Sequence, residues 1–119
     1  MGIQISTFGN PGKVQLHTVE INYNQNNPYY SLAEDSLFLC DTFLGSPAIY
    51  LPSLASVPNG TMLFVIAFGP NMVSLAPAQS TMDNLNGDAQ PVNVPGGKHT
   101  TAIITKFDDQ NWNISWAQA

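Results

Sequence analysis

The strongest apolar run of this chain, Thr61 to Phe68, is bounded by Gly60 and Gly69-Pro70, and the other runs are punctuated mostly by Pro, Gly or Asn. That punctuation limits the fold more than any other feature. Nine Pro and nine Gly are spread along the sequence. A Pro inside a helix removes a hydrogen bond and clashes with the preceding turn, and a Gly costs about 1 kcal/mol relative to Ala. Long helices are therefore excluded, and Ser31 to Leu37 and Leu54 to Val57 have room for one turn each. The runs themselves are Leu37 to Cys40, Ala48 to Leu51, Thr61 to Phe68, Met72 to Ala76, Val92 to Val94, Thr100 to Phe107 and Trp112 to Trp116. They have strand lengths and favour β-formers. Short, regular spacing of turn signals predicts an all-β fold, a compact antiparallel β-sandwich or barrel-like domain. Asp108-Asp109-Gln110-Asn111 forms the turn of a closing hairpin. Leu51, Leu63, Val65, Ile66, Leu75, Ile103, Ile104 and Trp112 are expected to supply the core.

The first thirty residues differ. Ile3, Ile5 and Phe8 precede a Pro11-Gly12 turn, Val14, Leu16, Val19, Ile21 and Tyr23 follow at mostly even spacing, and Asn22 to Tyr30 is a polar, Asn-rich stretch without periodicity. The expected organisation is an extended N-terminal arm and loop over residues 1–34 and a β-domain over residues 35–119.

Composition narrows the function. The chain has 119 residues, enough for one core, and is 44% hydrophobic, which argues against disorder. Only 9% of residues are charged and the net charge is −5, with no Arg. Lys13, Lys98 and Lys106 are too few and too scattered for a nucleic-acid face, and an anionic membrane surface would repel the chain. No apolar stretch approaches the ~20 residues of a spanning helix. Met1-Gly2-Ile3-Gln4 lacks the basic and apolar regions of a secretory signal. The formal myristoylation pattern from Gly2 to Ser6 has no supporting basic residues. Asn59-Gly60-Thr61 and Asn113-Ile114-Ser115 match the glycan-acceptor motif, and with no secretory signal they read as chance matches in an Asn-rich chain.

Candidate chemistry is sparse. The single cysteine, Cys40, sits in an apolar run and reads as a small buried hydrophobe. His17 and His99 read as surface residues, no nucleophile elbow is present, and the acids sit among turn formers. Asp83 to Asp88 superficially resembles a calcium loop but lacks the closing Glu of an EF-hand. Pro95 to Thr100 lacks phosphate-loop spacing. The expectation is a protein without catalytic, cofactor or metal residues. Aromatics are the remaining candidates: Tyr23, Tyr29, Tyr30, Tyr50, Trp112 and Trp116 could line a sugar-binding face, form a subunit interface or pack in a core. Tyr29, Tyr30, Tyr50 and Trp116 are selected as subunit-interface or glycan candidates.

From Ala48 onward an ordered series resembles the compact β-domain of tailed-phage virion proteins. Its elements are Ile49-Tyr50-Leu51-Pro52, Val57-Pro58-Asn59-Gly60-Thr61, Met62 to Ile66, Val73-Ser74-Leu75-Ala76-Pro77, Met82 to Gly87, Thr101 to Thr105, and Asp108 to Trp112. Met82 and Leu85 stand where that pattern commonly has an Ile-Asp-Gly. Such domains are found in tail fibres and in capsid decoration proteins. The resemblance implies a homotrimer with a structural or attachment role. The short acidic chain with an extended arm is closer to a decoration (cement) protein, located on the outside of a bacteriophage capsid and partnered by the major capsid protein. Ile3, Ile5 and Phe8 are then the capsid-contact candidates, with the arm adding as a strand to a neighbouring sheet edge. The alternative is a tail-fibre or glycan-binding adhesin module.

Overall fold

In the computed structural model, residues 16–23, 27–97 and 99–117 are described. They form ten strands: β1 Thr18–Asn22, β2 Tyr29–Tyr30, β3 Leu37–Asp41, β4 Ala48–Tyr50, β5 Met62–Ala67, β6 Val73–Ala76, β7 Asn84–Leu85, β8 Val92–Val94, β9 Thr100–Lys106 and β10 Asn111–Ala117. A 3-10 turn, Leu54–Ser56, lies between β4 and β5, and no α-helix occurs among the described residues. The all-β class expected from the punctuation holds. The residues expected to form the arm's apolar contacts, Ile3, Ile5 and Phe8, lie outside the described residues. β1 and β2, within the segment expected to be an arm and loop, are hydrogen-bonded edge strands of the two sheets.

The strands form a six-stranded sheet, β1-β3-β5-β9-β10-β7, and a four-stranded sheet, β2-β4-β6-β8. Both are mixed, not antiparallel throughout as expected. The cause is the path of the chain. From β1 to β6 successive strands alternate between the sheets. A strand that leaves one sheet, crosses the other and returns runs in its original direction. So β1, β3 and β5 are parallel neighbours, and β2, β4 and β6 likewise. The chain reverses only later: β8 pairs antiparallel with β6, β9 with β5, and β10 with β9.

Side-chain alternation along each strand sends one set of residues into the space between the sheets. Phe38, Cys40, Leu63, Val65, Ala67, Ala102, Ile104 and Trp112 point inward from the large sheet, and Ile49, Val73, Leu75 and Val94 from the small one. Burying a large aliphatic or aromatic side chain this fully contributes roughly 1.5–3 kcal/mol. Six of the residues expected in the core are there, namely Leu51, Leu63, Val65, Leu75, Ile104 and Trp112. Two are not. Ile66 lies between inward Val65 and Ala67 and so belongs to the outer face, and Ile103, opposite Phe64 in the register, is 40% exposed. In a continuous apolar run the parity is invisible, because both faces carry hydrophobes.

The turns follow local chemistry. Asn86 and Gly87 both have positive φ, 54° and 84°, between paired Leu85 and Asp88. This is the two-residue turn that an Asn-Gly pair favours. The Asn86 side chain then extends the sheet: its Nδ2 donates to Ile114 O at 3.1 Å, and Ile114 N donates to its Oδ1 at 2.7 Å. The stretch with a superficial likeness to a calcium loop is thus a tight hairpin tied to β10. The closing hairpin is as expected, with Asp108 Oδ1 accepting from Gln110 N and Asn111 N, each at 2.8 Å. Those bonds, the one from Gln110 first, hold the Asp108 carboxyl below its usual range.

Cys40 is fully buried, and burial pushes its thiol up to about 12. Tyr29 is also raised to about 12, first by burial and then by its hydrogen bond to Asp35. The folded state therefore keeps protons that the unfolded chain releases, Cys40 from about pH 9 and Tyr29 from about pH 10. Stability is unaffected below those values and falls as pH rises toward the folded-state values, by up to about 1.4 kcal/mol per pH unit for Cys40. Urea midpoints measured from about pH 8 to about pH 10 are expected to drop for the wild type and to drop much less for Cys40→Ala, in which only Tyr29 begins to contribute near pH 10. Equal slopes in both proteins would contradict this.

Candidate functional site

Three loops meet at one end of the large sheet. β3 and β5 are parallel and antiparallel β9 begins where they end, so residues 42–47, 68–72, 95–97 and His99 cluster there. Backbone bonds knit them. Asn71 donates to Thr42 O through both its backbone N, at 3.2 Å, and its Nδ2, at 2.8 Å. Gly97 N donates to Gly69 O at 2.9 Å. Gly69 sits so close to Thr42 that a Cβ would come within 2.6 Å of its backbone. Phe43 N donates to Asp41 Oδ1 at 3.1 Å, which anchors the start of the first loop.

On this scaffold Phe43 is 62% exposed and Leu44 90% exposed, with Met72 also exposed nearby in sequence to the second loop. Beside them is a hollow of about 590 Å³ lined by Phe43, Phe68, Gly69, Pro70, Gly97 and His99. An apolar pair on bonded loops loses little conformational entropy on docking, so it can act as an anchor. Sequence reasoning passed over Phe43 and Leu44. The available signal was an apolar pair outside any strand run, between Asp41 and Gly45-Ser46-Pro47.

The selected aromatics are divided by the structure. Tyr30 and Tyr50 stand opposite each other on the outer face of the small sheet and stack, with ring centroids 5.0 Å apart and 6° between planes. Tyr29 alternates to the other side, packs edge-on against Phe38 and donates its hydroxyl to Asp35 Oδ2 at 2.6 Å. Trp116 is near the end of β10 in the other sheet, partly exposed. Next to the Tyr30–Tyr50 pair lies a groove of about 420 Å³ bordered by Tyr23, Tyr50, Ala48, Ser74, Ala76 and Pro91.

The outer face of the large sheet is apolar along its middle strands. Leu37, Phe64 and Ile103 form one cross-strand row, and Leu39 and Ile66 begin the next. All five lie on the side opposite the core and none is buried.

One titratable cluster lies elsewhere. Asp35 is buried and accepts from Tyr29 Oη and from Leu32 N, while His17 Nδ1 is 3.2 Å from its Oδ1. That oxygen has no hydrogen bond of good geometry, so the His17 contact is an ion-pair approach of a half-exposed ring. The hydroxyl here is a donor to the carboxylate, whereas a nucleophile would have to lie across the imidazole from it. The group acts as a clasp between the residue before β1, β2 and the turn ahead of β3. Among the described residues, no group of three or more His, Cys, Asp or Glu is placed to hold a metal ion. In comparisons with known proteins, no family model and no curated sequence matches the chain.

Proposed function

We propose that this chain is a structural protein of a bacteriophage virion, a decoration protein that binds the outside of the capsid shell and stabilises it, assembles as a trimer and catalyses no reaction. The observation that carries this reading is the loop end, where Phe43 and Leu44 project from one of three interlocked loops beside an apolar hollow. Such a surface suits docking without charge, and the chain has few charges to use. The ordered motif series from Ala48 to Trp112 supports the phage setting by resemblance. The apolar rows on the outer face of the large sheet favour self-association, since contact between copies would cover Leu37, Phe64 and Ile103.

Copy number tests the role. Quantitative mass spectrometry of purified virions is expected to find this protein at the same order of magnitude as the major capsid protein. A few copies per particle would move it to the tail, as an adhesin, and its absence from virions would overturn the proposal.

A further inference from the structure

The tyrosine row on the small sheet is incomplete. Neighbouring strands lie about 4.8 Å apart, so ring after ring can stack across them. Tyr30 on β2 and Tyr50 on β4 do so, at 5.0 Å. The next strand, β6, places Ala76 directly opposite Tyr50. The side of Tyr50 toward β6 therefore borders a gap one ring wide, floored by the small side chains of Ala48, Ser74 and Ala76. Tyr23 lines the same groove, its ring resting on Gly45, where a Cβ would come within 2.7 Å of it.

From this geometry we infer that the groove beside Tyr50 is a binding site for the flat face of a neutral sugar ring. Its axial C–H groups would stack on the tyrosine where a third aromatic ring is missing. The polar groups bordering the groove are hydroxyls, from Ser46, Ser74 and the tyrosines, which both donate and accept as sugar hydroxyls require. Among the described residues no charged side chain lines it, which disfavours phosphorylated or acidic ligands. A polyproline segment also fits between tyrosines and prolines, but it offers carbonyl acceptors alone and would use the groove's hydroxyls only as donors, whereas sugar hydroxyls use them both ways. The inference does not rest on capsid binding, although Gly45 and Ser46 belong to the loop that also carries Phe43 and Leu44.

Saturation-transfer NMR on the full chain tests it, with the methyl glycosides of glucose, galactose, mannose and N-acetylglucosamine as probes and an oligoproline peptide as competitor. At least one glycoside is expected to receive saturation at its ring C–H protons. Tyr50→Ala should weaken that binding at least about tenfold, the order of a lost aromatic stack. Ala76→Tyr, which would fill the gap with the missing ring, should abolish it. Trp116→Ala, on the other sheet, should leave it intact. Thermal unfolding of each variant controls for folding. The inference is overturned if none of the four glycosides binds, if binding persists in folded Ala76→Tyr, or if oligoproline alone occupies the groove.

Discussion

Replacing Trp112 by Ala is expected to cost about 4 kcal/mol, the largest effect of any single truncation in this fold. Trp112 heads the fully buried side chains and lies inward from β10, opposite Lys106. Its Nε1 donates to Pro52 O at 3.3 Å, joining the large sheet to the segment that follows β4. Truncation would remove the packing of the indole, leave a cavity and free that carbonyl. Since domains of this size have total stabilities of about 5–15 kcal/mol, the variant would be near the limit of folding. Trp112→Phe keeps most of the volume and is expected to cost about half as much. Urea denaturation followed by far-UV circular dichroism checks both values. A cost below about 1 kcal/mol for the alanine variant would mean that this residue is not in the core.

Lys106 is the second expectation. It is buried in the core, and its Nζ donates to Leu54 O at 2.7 Å and Val57 O at 2.8 Å. Those carbonyls belong to the 3-10 turn and its C-terminal cap, so the ammonium fastens the turn to β9. Asp109 is also near, but at 3.8 Å and 90% exposed. A contact of that kind is worth little in solvent, whereas buried acceptors stripped of a charged donor cost roughly 1–3 kcal/mol. Burying the ammonium has its own desolvation cost, and its removal offsets part of the loss. Lys106→Met, which keeps the stem, is therefore expected to destabilise by about 2 kcal/mol, and Asp109→Asn by less than about 0.5 kcal/mol. The reverse ranking in denaturant midpoints would show that the surface ion pair, not the carbonyl bonds, holds Lys106.

These residues mark how far the sequence could be read. Most strand positions are legible because Pro, Gly, Asn or Asp closes the runs, β2 and β7 being too short and polar to show, and the Asp108 to Asn111 hairpin is legible because its turn formers are local. Strand direction was not legible, since a run such as Leu37 to Cys40 looks the same whether its partner comes from the next strand or from one beyond a crossing. Ile66 and Ile103 were assigned inward because their neighbours are apolar on both parities. Lys106 gave no sign of burial, because its partners Leu54 and Val57 lie about fifty residues away in sequence and use only backbone oxygens. Asp35 looked like a turn acid. Its burial depends on Tyr29 and His17 being brought to it by β2 and the start of β1. The tyrosines were visible as a group, but only pairing of β2 with β4 selects Tyr30 and Tyr50 as the stacked pair.

The most direct test of the assembly role is cosedimentation with capsid shells stripped of this protein. Wild type is expected to pellet with the shells, and to do so equally at low and high salt, because an apolar anchor is not screened. The double variant Phe43→Ser, Leu44→Ser should remain in the supernatant, with its circular dichroism spectrum and melting temperature unchanged, since both side chains are exposed. Shell binding by the folded double variant at wild-type strength, or no binding by wild type, would contradict the account.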